Sequence, residues 1–229
     1  MKFVILLVVQ GFKHLSGPTA TLVNMLKIVE NMDSLLSFEP RIFEDPRGGF
    51  LEWFKASEFE QLTGYPFDLQ QANISTSVQG TLRGLHFSEL PPGQAKFVTC
   101  VAGLILDVAV DIRVGSPTFG KWHAVEMGEE NRKGLFLPSG FAHGFLALKD
   151  ATVVYLTSNE YDPEVEHAIN PFDPDIAIEW PELEYVLSDK DRNSPNLLAL
   201  KSVLPSFEES RAYHNALRDS WAVANSEVQ

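Results

Sequence analysis

The clearest pattern of apolar and polar positions in the chain lies within residues 81–112, TLRGLHFSELPPGQAKFVTCVAGLILDVAVDI. In its last third Leu106, Val108, Val110 and Ile112 fall on one face of an extended chain, and Asp107, Ala109 and Asp111 on the other. That is the period of two expected of a half-buried strand. Lys96 opens two strand-like runs that join at Gly103. Similar runs occupy residues 50–54 (FLEWF), 69–77 (LQQANISTS), 122–127 (WHAVEM) and 135–137. A turn over residues 138–143 then leads into GFLAL, and Asp150 is read as closing a hairpin into residues 152–157 (TVVYLT). Turn clusters at residues 45–49 (DPRGG) and 115–120 (GSPTFG) separate these runs. Strands recurring at roughly ten-residue intervals predict an antiparallel sandwich or barrel. No crossover helices interrupt them, which argues against a parallel α/β sheet.

Two helices stand outside this pattern. Residues 57–62 form a short one, with Ser57 and Glu60 spaced as a capping box and Gly64 as the stop. Residues 206–224 form a longer one, with Ser206 and Glu209 as a second box and Tyr213, Leu217 and Trp221 on one face. Between the strands and this helix, Pro163, Pro171, Pro174, Pro181 and Pro195 punctuate a polar arm. No internal repeat and no second domain is visible, so residues 25–229 are expected to form one domain with a C-terminal helical appendix. Near the start, Lys2 precedes FVILLVV, at the short limit of a secretion signal, and no small-x-small cleavage site follows. Residues 1–24 are expected to be a poorly packed extension ahead of a start at Met25 or Met32. A secretion signal and an extra edge strand are the alternatives. No apolar run approaches the ~18 residues of a membrane span.

Composition narrows the partners. The 229 residues carry a formal net charge of −13, which argues against nucleic acid, since phosphate backbones need a basic face. A few converging Arg and Lys side chains still permit a small anionic substrate. Cys100 is the single cysteine, so no internal disulfide forms, and it reads as a small core residue.

Among six histidines, His86 is distinguished by its company: Arg83 before it, Lys96 after it, and a Pro-Pro-Gly loop between. Nearby cations are expected to depress its pKa and keep it a neutral base, oriented by a carboxylate from elsewhere in the chain. Gln71, Asn73 and Ser75 share one strand face, either a solvated edge or the lining of a pocket. The element Pro138-x-Gly-x-x-His143 resembles the second motif of the cupin superfamily. Metal-binding cupins pair it with His-x-His, whereas here the match is His86-Phe-Ser88. No metal site is expected, and a metal-dependent oxygenase is disfavoured.

Longer runs carry a more specific likeness. RGLHF at 83–87, QAKFV at 94–98, DVAVDIRVGSPTFGKW at 107–122, FAHGFLAL at 141–148, EY at 160–161 and SDKD at 188–191 resemble dTDP-4-dehydrorhamnose 3,5-epimerases. The resemblance implies a mainly β fold, a cupin-like antiparallel jelly-roll barrel, working as a cytoplasmic homodimer without metal or nucleotide cofactor. The implied substrate is dTDP-4-dehydro-6-deoxy-glucose, which loses and regains protons at C3 and C5, both alpha to the C4 ketone. It also implies roles: His86 as base, Asp191 as its carboxylate partner, Lys96 at the developing oxyanion, and Tyr155 as the acid on the opposite ring face. Arg47, Glu52, Gln71, Asn73, Arg83, Lys96, His143, Glu166 and Lys190 match substrate-binding positions, and Tyr161 matches an aromatic that stacks on thymine. One rival is a relative acting at a single carbon for an antibiotic deoxysugar. Another is a non-catalytic sugar-binding cupin, which would have no need for His86, Tyr155 and Asp191 together.

Overall fold

The computed structural model describes residues 26–226, and the expectations for residues 1–24 lie outside it. In chain order the strands are β1 (Leu26–Ile28), β2 (Leu36–Phe38), β3 (Phe43–Asp45), β4 (Gly48–Phe50), β5 (Gln71–Ser77), β6 (Leu82–Ser88), β7 (Lys96–Ala102), β8 (Leu104–Asp111), β9 (Trp122–Gly128), β10 (Gly134–Leu137), β11 (Phe141–Ala147), β12 (Ala151–Thr157) and β13 (Glu166–Ala168). The helices are α1 (Ala56–Thr63), α2 (Asp189–Arg192) and α3 (Phe207–Ser226). One sheet has six strands in the order β1-β2-β10-β7-β12-β5, and a second has five in the order β13-β6-β11-β8-β9. From β5 to β13 the chain changes sheet at every step but β8 to β9. This alternation gives a cupin-like jelly roll, built as two facing antiparallel sheets rather than one closed barrel.

The sheet changes correct two local expectations. Asp150 does not close a hairpin, because β11 pairs with β6 and β8 while β12 pairs with β5 and β7. Alternation in sequence reports that one face of each strand is buried, and it is blind to which neighbour does the burying. The β7–β8 corner explains Gly103: it sits at φ +73°, and a Cβ there would lie 1.9 Å from the Asp150 carbonyl. The turn before β11 is also shorter than expected. It ends at Gly140, so His143 rides on a strand.

β8 is buried on both faces, not one. Ile105 and Ala109 enter the core between the sheets with Val98, Cys100, Met127, Leu135, Phe145 and Val153. Val108, Val110 and Ile112 face outward, where Ile169, Ile176, Trp180, Leu197 and Leu204 of the arm cover them. The proline-punctuated arm is thus a packed outer layer. Asp107 and Asp111 are fully buried and are satisfied there. Asp111 accepts from Arg113, Ser116 and Thr118 at 2.6–2.8 Å, and Asp107 meets His143.

A third cluster covers one end of the outer face of the six-stranded sheet. Phe38, Phe97 and Phe136 pack there against Phe59 of α1, with Leu217 and Trp221 of α3 at its edge. The expected strand at 50–54 stops at Phe50 for the same reason. Trp53 and Phe54 turn onto Phe97, with ring centroids 5.9 and 5.4 Å away. The first capping box does not form, because α1 starts after Lys55 and has no side-chain cap. Gly64 does end it, in the left-handed region at φ 82°. The second box forms: Ser206 N–H donates to Glu209 Oε2 at 3.0 Å, and Glu209 N–H to Ser206 Oγ at 3.1 Å.

Candidate active site

Between the two sheets lies a cavity of about 270 Å³. Strand β5 gives it Gln71, Asn73 and Ser75; β6 gives Arg83 and His86; β7 gives Lys96; β11 gives His143 and Phe145; β12 gives Tyr155 and Thr157. The arm closes it with Tyr161, Glu166, Ser188, Lys190 and Asp191. Burial along β5 alternates so that the amide and hydroxyl row faces this cavity while Ala72, Ile74 and Thr76 face out. The row is therefore pocket lining, not a solvated edge.

His86 Nε2 lies 2.6 Å from Asp191 Oδ1, across 105 residues of chain. Asp191 arrives on the single turn of α2, whose N-cap Ser188 accepts from the Asp191 N–H at 3.1 Å. Burial works against its charge, but the His86 bond, Ser188 and the Gly84 N–H outweigh that and hold its carboxyl below the ordinary value. A carboxylate on Nε2 fixes the tautomer with the proton there, leaving Nδ1 a free lone pair. Gly84 sits beside this pair at φ +101°, where a Cβ would come within 2.5 Å of the His143 carbonyl. Only glycine lets β6 and β11 approach so closely, and their pairing sets His86 directly opposite His143. The second imidazole has its own carboxylate: His143 Nε2 lies 2.5 and 2.9 Å from the two oxygens of Asp107.

Tyr155 and Lys96 come from the six-stranded sheet, His86 from the five-stranded one. Burial raises the Tyr155 pKa, helped by the charge of Glu166, so its hydroxyl stays protonated at neutral pH. Burial lowers the pKa of Lys96, and Glu166 partly offsets it. Arg83 is aimed by two bonds to β5, Nε to Ser77 Oγ and Nη2 to the Thr76 carbonyl, each 3.1 Å.

The cavity thus gathers His86, Tyr155, Asp191, Lys96, Gln71, Asn73, Arg83, His143, Tyr161, Glu166 and Lys190. It does not gather Arg47 and Glu52. Arg47 stands at the tip of the β3–β4 hairpin, gripping Asp45 with Nη2 at 2.5 Å, and Glu52 lies 3.3 Å from Lys55. Sequence reasoning overlooked Gln94, Phe145, Thr157 and Ser188 in the lining and Asp107 beneath His143. For Asp107 the signal was present: an acidic residue on the face of β8 that also carries core positions. A larger groove of about 1040 Å³ lies on the outer face of the six-stranded sheet, but no histidine lines it. Among the described residues no cluster of three or more His, Cys, Asp or Glu side chains has metal-binding geometry, and no helix is long and apolar enough to cross a membrane.

Known proteins resemble this chain in sequence and fold. The family model described as dTDP-4-dehydrorhamnose 3,5-epimerase matches residues 30–199. A dTDP-4-dehydrorhamnose 3,5-epimerase of Mycolicibacterium smegmatis is 47% identical over 183 residues, covering 78% of this chain and 90% of that protein. The solved structure of an epimerase from Mycobacterium tuberculosis superposes with a TM-score of 0.81 at 41% identity, over 84% of this chain and 99% of that one. A 3'-monoepimerase from Streptomyces bikiniensis, solved with dTDP-quinovose, superposes at 0.78 with 45% identity, over 80% of this chain and 95% of that one. With the matched region running from before β2 to beyond Asp191, this chain belongs to the dTDP-4-dehydrorhamnose 3,5-epimerase family.

Proposed function

We propose that this enzyme epimerises dTDP-4-dehydro-6-deoxy-glucose at C3 and C5, giving dTDP-4-dehydro-L-rhamnose. One observation carries the mechanism: His86 and Tyr155 line a single cavity from opposite sheets, with Lys96 also on its wall. His86 Nδ1 takes the proton from a carbon alpha to the C4 ketone. The electron pair of the broken C–H bond moves onto the ketone oxygen, and the buried Lys96 ammonium stabilises that enolate. Tyr155 then gives its hydroxyl proton to the carbon from the other ring face as the enolate electrons return, inverting the carbon and leaving a tyrosinate. Exchange with solvent takes the proton off His86 and restores Tyr155 before the second carbon reacts. The imidazolium formed is balanced by Asp191. Arg83 and Lys190 supply positive charge for the diphosphate, and Arg83 offers a planar fork suited to phosphate oxygens. Gln71, Asn73, His143 and Glu166 hold the sugar and nucleotide, and Tyr161 stacks on thymine. No metal or nucleotide cofactor enters this chemistry, and the cytoplasm is the compartment it expects.

The enzyme works as a homodimer on this account. Ile74 is 74% exposed and Phe50 66%, and both line the large apolar groove on the outer sheet face. A second copy seated on this face would cover it and bring the β3–β4 hairpin to the neighbouring cavity, which is how Arg47 and Glu52 would reach substrate. Sedimentation of Ile74→Asp against the unaltered protein tests the dimer, with a monomer expected for the variant.

Incubation with the keto sugar in heavy water, read by NMR, tests the reaction. Deuterium at both C3 and C5 is expected. Label at one carbon would make this a monoepimerase like its Streptomyces bikiniensis relative, and no label would remove the activity.

A further inference from the structure

Tyr161 stands at the mouth of the cavity with 55% of its surface exposed. An exposed aromatic ring at a pocket mouth is a stacking face only if its backbone is fixed. Otherwise, ordering the segment on binding consumes part of the stacking energy. The chain after β12 has no secondary structure to fix it. Besides one backbone bond, from Ser158 N–H to the Ala95 carbonyl at 3.0 Å, it is held by side chains. Gln94 Nε2 donates to the carbonyls of Asn159 and Glu160, at 3.0 and 3.4 Å. Asn159 Nδ2 donates back to the Gly93 carbonyl, and Ala95 N–H donates to Ser158 Oγ at 2.9 Å. From the opposite side, Tyr161 N–H donates to Gln71 Oε1 at 3.0 Å, while Gln71 Nε2 donates to Asn73 Oδ1 at 2.6 Å. The residues just before Tyr161 are thus gripped between the 93–95 loop and β5.

We propose that Gln94 is a positioning residue: it holds the Asn159–Glu160 backbone so that the Tyr161 ring is preset to stack on the base of a nucleoside diphosphate sugar. Gln94 lines the cavity, yet its amide donor is engaged by the protein's own carbonyls and acts through Tyr161. The inference rests on the nucleotide-sugar chemistry proposed above and adds the device that makes base recognition rigid.

The test measures binding of dTDP and of inorganic pyrophosphate by calorimetry to the unaltered protein, Gln94→Ala, Tyr161→Ala and the double variant. Alanine in place of a stacking aromatic is expected to weaken dTDP roughly tenfold or more. Gln94→Ala should weaken dTDP by about threefold or more and leave pyrophosphate, which has no base, within about twofold. In the double variant the Gln94 effect should vanish, because the ring it positions is gone. Equal losses for dTDP and pyrophosphate, or a Gln94 effect that persists without Tyr161, would mean that Gln94 touches the ligand or supports the fold, and would overturn the proposal. If Tyr161→Ala weakens dTDP and Gln94→Ala does not, the positioning role alone falls. If Tyr161→Ala leaves dTDP binding intact, the stacking role of Tyr161 falls and this inference with it.

Discussion

Asp191 meets His86 at 2.6 Å although 105 residues separate them, and the short arm helix that delivers it is the part of the site furthest from the strand pattern. The pair gives one imidazole a fixed tautomer and a counter-charge. Replacing His86 with Ala is expected to lower turnover by ~10²–10⁴-fold or more, the range for a positioned base. Asp191→Asn keeps the shape but removes the charge, and should lower kcat with a smaller change in KM. Steady-state kinetics on the keto sugar check both, and full activity of His86→Ala would remove it as the base.

Lys96 presents a conflict between stability and chemistry. The residue is 7% exposed, and burial lowers its pKa below the ordinary lysine value. A cation with a depressed folded pKa destabilises the fold at neutral pH and is relieved only as pH rises toward its ordinary value. Lys96→Met should therefore raise the melting temperature at pH 7. The same change should cut kcat ~10²–10³-fold if the ammonium stabilises the enolate. A stabilised variant with unchanged kcat, or a loss confined to KM, would show that Lys96 binds without serving the oxyanion.

Acid sensitivity is expected from a histidine outside the cavity lining. His214 of α3 is stacked on Tyr65, with ring centroids 6.4 Å apart, and its pKa is pushed down to about 4, by burial first and by Arg218 and Arg113 next, against the pull of Asp33. The unfolded chain takes up a proton near the ordinary histidine value, and the folded chain does so only near 4. Stability held above pH ~6.5 is thus lost as pH falls toward 4, by about 3 kcal/mol at ~1.4 kcal/mol per pKa unit. Thermal unfolding between pH 7 and 4 should show a smaller drop for His214→Phe than for the unaltered protein.

Much of this was legible in the sequence because period-two patterning and short motifs are local signals. The alternation around Leu106–Ile112 found β8, and the Ser206–Glu209 spacing found the start of α3. What alternation cannot carry is partnership between strands. The Asp150 corner looked like a hairpin because a strand that crosses to the other sheet buries the same face as one that folds back. Residues 50–54 looked like a strand because the run is short, aromatic and apolar, while the ring that Trp53 and Phe54 both pack on, Phe97, lies far along the chain. His86 was visible through its company on β6. Asp191 and Tyr155 took their roles from a family likeness, since no local spacing joins them to His86. Gln94 escaped because its function lies in bonds to the backbone of residues 159 and 160, which no side-chain pattern records.

Label retention in Tyr155→Phe tests the opposed-wall mechanism most directly. In heavy water this variant keeps His86, so deuterium should enter the carbons alpha to the ketone with the starting configuration retained, read by NMR, while epimerised product falls by at least ~10²-fold. Epimerised product forming at the unaltered rate would contradict a proton delivered by Tyr155 from the face opposite His86.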